Sequence, residues 1–137
     1  MARVAALAEA DPQREVCGLV FRLPDGGHEV VAVPNAEAAG RARDGFRMDP
    51  AALLAALRAW EARGGVVAAV YHSHVDAPPE LSGRDRAELT LDGRPTFPGA
   101  SLLVVSLRAG HAAEAALHGW DGAAFVAQPF ALTRRDR

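Results

Sequence analysis

The sequence predicts an α/β fold, a mixed β-sheet flanked by helices. Three observations carry that expectation. Short apolar or β-branched runs recur at 15–22, 28–34, 66–74, 101–108, 113–120 and 123–130, set off by Gly, Pro, Asp or Asn. Between them lie segments with helix start and stop signals. Their order, helix–hairpin–helix–strand–helix–strands, alternates the two element types, which layers helices onto a sheet. At 137 residues, half of them hydrophobic, the chain is expected to form one domain over 1–137 with a single core.

ARVAALAE (2–9) reads as part of a helix, with Pro12 beyond it. EVCGLVFR (15–22) is apolar and β-branched and reads as a strand. LPDGG (23–27) is turn chemistry, so HEVVAVP (28–34) follows as its antiparallel partner in a hairpin. Residues 35–47 read as loop. DPAALLAALRAWEARGG is the clearest helix: Asp49 can cap it, Pro50 takes the first helical position and Gly64 ends it. Leu53, Leu57 and Trp60 fall at i, i+4 and i+7 and predict one buried stripe. VVAAVYHSH (66–74) is a strand, expected to be buried at its start and polar at its end. Ser82 opens a short helix to about Leu91, and DGRPTFPG is loop. SLLVVSLR (101–108), AEAALHGW (113–120) and AAFVAQPF (123–130) are the remaining strands, broken by Gly110 and by Asp121-Gly122.

Formal net charge is −2 and the arginines are scattered, so no nucleic-acid-binding surface is expected. The one basic cluster, Arg134, Arg135 and Arg137, reads as a solvated end. Cys17 is the single cysteine, which excludes an internal disulfide and a C-x-x-C metal knuckle. No apolar run approaches the ~20 residues of a membrane span, and no leader pattern opens the chain. A cytoplasmic, reducing location is expected. Oligomeric state is not legible.

Chemistry concentrates in VYHSHVDAPPELSGRD, from Val70 to Asp85. Side chains at i and i+2 of a strand share a face. His72 and His74 therefore point the same way, with Ser73 on the other face, and parallel imidazoles can share one zinc at ~2.0–2.1 Å. The pair falls at the strand's C-terminal end, where open α/β sheets build their sites. Two candidates exist for a third ligand. Asp76 continues the i, i+2 series. Asp85 closes Ser82-Gly83-Arg84-Asp85, which also reads as a helix-capping box. A capped helix start can hold an aspartate and present it to a metal as well.

Glu15, a long gap, His72-Ser73-His74, seven residues, then Ser82 and Asp85 two residues further on: this pattern resembles the JAMM (MPN+) zinc metallopeptidases. That group includes deubiquitinating isopeptidases and their small prokaryotic relatives. REVCGLVF, VPNA and FRMDP are similar to further family segments, so the likeness spans nearly the whole chain. The resemblance implies a cytidine-deaminase-like MPN fold and one zinc per chain, held by His72, His74 and Asp85 with water in the fourth position. It implies that Glu15 is general base and then general acid, and that Ser82 hydrogen-bonds the oxyanion. It implies a substrate, too: the C-terminal Gly-Gly tail of a ubiquitin-like or sulfur-carrier protein. Strand rise of ~3.3 Å per residue would separate His72 and Asp76 by ~13 Å, which also disfavours Asp76 as the ligand.

Three departures stand out. Val75 follows the second histidine where many members have Pro. Fourteen residues precede Glu15 where family members usually carry an initial strand and a longer helix, so a late start or a sheet one strand short is expected. The segments flanking Asp85 are short, which fits the compact prokaryotic type. Cys17 shares parity with Glu15 but reads as a small buried hydrophobe. His28, His111 and His118 have no partner at ligand spacing and read as surface or sheet residues; Trp60 and Trp120 read as packing. Two rival readings are a non-catalytic MPN-type interaction module and a metallo-β-lactamase-like hydrolase. The latter's motif is H-x-H-x-D-H, whose final histidine is Ala77 here.

Overall fold

A computed structural model describes residues 1–38 and 40–132. The arginines of the tail lie outside the described residues. In chain order the elements are α1 (Ala2–Ala10), β1 (Cys17–Arg22), β2 (His28–Val33), α2 (Pro50–Glu61), β3 (Val66–Val75), α3 (Gly83–Leu89), β4 (Thr90–Leu91), β5 (Arg94–Pro95), β6 (Ser101–Arg108), β7 (His111–Trp120) and β8 (Phe125–Ala131). Six strands form one sheet in the order β2-β1-β3-β6-β7-β8, with β3 and β6 parallel and the other neighbours antiparallel. The sheet is therefore mixed, as expected. Its one parallel pair needs a crossover, and α3 lies in it. Among the described residues no helix is long and apolar enough to cross a membrane.

Both faces of the sheet are covered. On one, Leu19, Phe21, Val70, Leu102 and Val104 form a buried cluster, with Leu53, Leu57 and Trp60 of α2 packed against it. On the other, Val4, Ala5 and Ala8 of α1 pack on Tyr71, Leu103, Val105 and Leu107. Small alanines let α1 approach closely. Tyr71 lies across β1 at Gly18, where an added Cβ would stand 2.5 Å from the tyrosine ring and 2.3 Å from the Val31 carbonyl oxygen. Only glycine fits there.

Three sequence expectations need correction. β3 is buried at its end rather than its start: Val66 is exposed and residues 67–69 are half-buried, whereas residues 70–75 are buried, because the segment leading to α3 folds back over the polar end, where the Pro78 carbonyl meets His74. The α2 stripe is partly buried, not buried, because α2 packs over β2, the edge strand, where the sheet covers only part of it. The helix from Ser82 stops at Leu89, and Thr90–Leu91 pairs with Arg94–Pro95 in a two-stranded hairpin. Asp92 and Gly93, at φ 52° and 74°, make its turn, which is the Asp-Gly preference of tight hairpins.

Candidate metal centre

Strand alternation in β3 turns His72 and His74 to one face. Ser73 goes to the other, where its Oγ accepts from Val16 N–H at 2.8 Å. Ser73 N–H donates in turn to the Val16 carbonyl at 3.0 Å. Cys17 pairs with His72 in the antiparallel β1–β3 ladder. Continuing that register by two residues carries Glu15 level with His74. Asn35 fastens the Glu15 backbone, donating from Nδ2 to its carbonyl at 2.9 Å.

Asp85 arrives from another direction. Ser82 caps α3: its Oγ accepts from Asp85 N–H, and Asp85 Oδ2 accepts from Ser82 N–H, both at 3.0 Å. This reciprocal box aims the carboxylate at the histidines. His72 Nε2 and His74 Nε2 stand 3.1 Å apart, and Asp85 Oδ2 lies 3.1 Å from the first and 3.0 Å from the second. Glu15, His72, His74 and Asp85 are all buried, and their ligand atoms lie within 4.8 Å of one another. Among the described residues no other such group occurs.

Hydrogen bonding alone does not account for this triangle. His74 Nδ1–H donates to the Pro78 carbonyl at 2.7 Å. In the neutral ring that leaves Nε2 with a lone pair, facing a carboxylate oxygen 3.0 Å away. A proton on Nε2 or a shared cation relieves the clash. Donors around a tetrahedral zinc, each ~2.0–2.1 Å from it, are spaced about 3.3 Å apart, so the three edges match within a few tenths of an ångström. The two imidazoles and one carboxylate therefore fit a zinc ion in spacing and chemistry, and leave a fourth side open.

The charges respond to burial and to one another. Burial pushes the Glu15 carboxyl up to about 8; His74 opposes that and Asp85 adds to it. Glu15 Oε1 has no hydrogen-bond partner. Burial also works against the Asp85 carboxylate, but hydrogen bonds from His72, His74 and Ser82 hold it well below the usual range. Burial pushes His72 down. For His74 burial acts downward too, yet Asp85, Pro78 and Glu15 together raise it. His72 stacks on Phe46, ring centroids 4.5 Å apart.

Asp76 is turned away. It follows β3 at φ 52°, accepts from Ala109 N–H at 3.0 Å and from Arg43 at 3.2 Å, and lies exposed. Ser82 is exposed on the lip of a depression of about 120 Å³, lined also by Glu15, Arg43, His74, Val75 and Ala77. Cys17 donates from Sγ to the Val33 carbonyl at 3.3 Å, and burial raises its thiol to about 12, which leaves it inert at neutral pH. Ser106 in β6 carries no reading from sequence, and His118 in β7, expected as a surface or sheet residue, is a buried sheet residue. Both are buried beside the segment between β3 and α3. Their only sequence signal was a polar residue inside an apolar strand.

A family model described as prokaryotic homologs of the JAB domain matches residues 1–120. A protein of Haloferax volcanii named desampylase is 31% identical over 99 residues, which cover 72% of this chain and 67% of that protein. Two solution structures share the fold. One, of a Desulfitobacterium hafniense protein, has a TM-score of 0.63 at 22% identity, over 90% of this chain and 86% of that one. The other, of a Salinibacter ruber protein, has a TM-score of 0.59 at 25% identity, over 92% and 82%.

Proposed function

The chain belongs to the prokaryotic homologs of the JAB domain, and from that premise we propose that it is a zinc-dependent peptidase or isopeptidase acting as one domain over 1–137. Its substrate is the C-terminal Gly-Gly tail of a ubiquitin-like or sulfur-carrier protein, and the cytoplasm is its setting. The observation that carries the reading is the convergence of His72 Nε2, His74 Nε2 and Asp85 Oδ2 on one point, with edges of 3.0 to 3.1 Å and a partnerless Glu15 carboxylate oxygen beside them. The relative named desampylase supports the substrate class, since that name denotes removal of a protein modifier. The small depression beside Ser82 supports it too. A tail of glycines has no side chains to exclude and can lie in a narrow space.

His72, His74 and Asp85 would hold the ion. Zinc bound there supplies Lewis acidity, bringing the pKa of its water toward ~7 and favouring the ionised form of Glu15. Glu15 takes a proton from the attacking water at its free carboxylate oxygen. As the new C–O bond forms and the C–N bond breaks, Glu15 returns that proton to the leaving amine. The Ser82 Oγ lone pair is engaged by Asp85 N–H at 3.0 Å, so its own O–H remains free to donate to the oxyanion. Burial of the cluster keeps bulk water from competing for these groups.

The test is incubation with sulfur-carrier and ubiquitin-like proteins extended beyond Gly-Gly, followed by mass measurement. Release of the extension with cleavage after the second glycine is expected. Intact substrates with zinc-loaded protein would leave the interaction-module reading.

A further inference from the structure

We propose that Ser106 and His118 are positioning residues for the metal-ligand set, acting through the segment that joins β3 to α3. The inference rests on the zinc site proposed above and goes beyond it to residues outside the family pattern.

The segment, Asp76 to Leu81, contains Pro78 and Pro79, which carry no N–H. Its carbonyls are the groups by which it can be held. Three consecutive ones each accept from a different strand of the sheet. Ala77 O accepts from Ser106 Oγ–H of β6. Pro78 O accepts from His74 Nδ1–H of β3 at 2.7 Å. Pro79 O accepts from His118 Nε2–H of β7 at 2.9 Å. The sheet register sets these donors in place, with His74 opposite Ser106 in the parallel β3–β6 pair.

The ends of the segment are fastened as well. Asp76 N–H donates to the Leu107 carbonyl at 2.9 Å, and Leu81 is buried in the core. Ser82 and Asp85 follow at once. The position of the Asp85 carboxylate relative to His72 and His74 therefore passes through this three-point support. His74 takes part twice: one ring nitrogen holds Pro78, the other faces Asp85. Ser106 and His118 are both buried, at 0% and 1% exposure, so water cannot replace them on the carbonyls.

Neither residue makes a hydrogen bond to a donor atom of the cluster. A purely structural role would lower stability and leave metal affinity alone. A positioning role moves the affinity. The experiment uses the full chain, freed of metal, and titrates zinc against a competing chelator. Cobalt(II) absorption serves as the readout of coordination geometry. His118→Leu and Ser106→Ala are expected to weaken zinc about 10–100-fold, as for partners that orient metal ligands, and to alter the cobalt spectrum. His118→Gln, whose amide can donate to Pro79, is expected to recover affinity to within a few-fold of wild type. Wild-type affinity and spectrum in both His118→Leu and Ser106→Ala would overturn the proposal. So would equal loss in the Leu and Gln variants, since the bond to Pro79 would then not matter. If His118→Leu does not fold, Ser106→Ala decides. A wild-type chain that binds no zinc would overturn the functional reading as well, which separates the two failures.

Discussion

Ser82 has two roles that a single substitution confounds and a pair of substitutions separates. Its Oγ accepts the Asp85 N–H and its N–H donates to Asp85 Oδ2, each at 3.0 Å, so it is the N-cap of a helix of seven residues. Ser82→Ala removes the first of these bonds at an exposed helix end, which costs about 1 kcal/mol of stability and lowers Tm by roughly 4 °C in a chain of this size. As an oxyanion donor the same hydroxyl is worth ~2.7–4 kcal/mol in the barrier, or ~10²–10³ in kcat. Ser82→Gly breaks the correlation. Glycine caps helices within a few tenths of a kcal/mol of serine, yet it has no hydroxyl. Thermal melts and steady-state kinetics on both variants form the assay. The expected pattern is a stability loss in Ala that largely recovers in Gly, with kcat down ~10²–10³ in both. A Gly variant turning over near the wild-type rate would refute the oxyanion role and leave Ser82 as a cap.

Glu15→Gln is expected to keep zinc and fold while losing orders of magnitude in kcat, read by metal content and kinetics on one preparation. In the metal-free protein, burial raises Glu15 from 4.5 to about 8, so its contribution to stability is full below about 4.5 and is lost as pH rises to about 8. Urea denaturation of metal-free wild type should therefore weaken across that window more than that of Glu15→Gln; identical slopes would contradict the burial of an unpaired carboxyl. Gly18→Ala is expected to destabilise by about 1–3 kcal/mol in the same assay, because its Cβ would meet the Val31 carbonyl at 2.3 Å and the Tyr71 ring at 2.5 Å.

What could be read from the chain was local. The H-x-H parity rests on strand geometry alone, and β3 puts both rings on one face. The capping-box reading and the ligand reading of Asp85 proved compatible in one side chain: Asp85 Oδ2 takes the Ser82 N–H and still faces both histidines. What escaped was non-local. Nothing near Ser106 or His118 in the chain indicates that β6 and β7 would set them under the Ala77 and Pro79 carbonyls, and His118, with no partner nearby in sequence, reads like His28 and His111. The Asp92-Gly93 hairpin escaped for a different reason. Its strands are two residues each, too short to show alternation, so the turn signal between them reads as part of a loop. The α2 stripe reads as buried and is only partly so, because periodicity reports which face turns inward, not how far the sheet extends beneath it.

Zinc binding by wild type, Asp85→Asn and Asp76→Asn, measured as metal per chain alongside turnover, decides which aspartate completes the metal site. Asp85 Oδ2 lies 3.0 Å from His74 Nε2, whereas Asp76 is engaged by Ala109 and Arg43 at the surface. Wild type is expected to hold about one zinc per chain and to lose activity on chelation. Asp85→Asn should strip or greatly weaken the metal, and Asp76→Asn should leave both metal and most activity intact. Full turnover in metal-free protein, or loss of zinc from the Asp76 variant and not the Asp85 variant, would contradict the account.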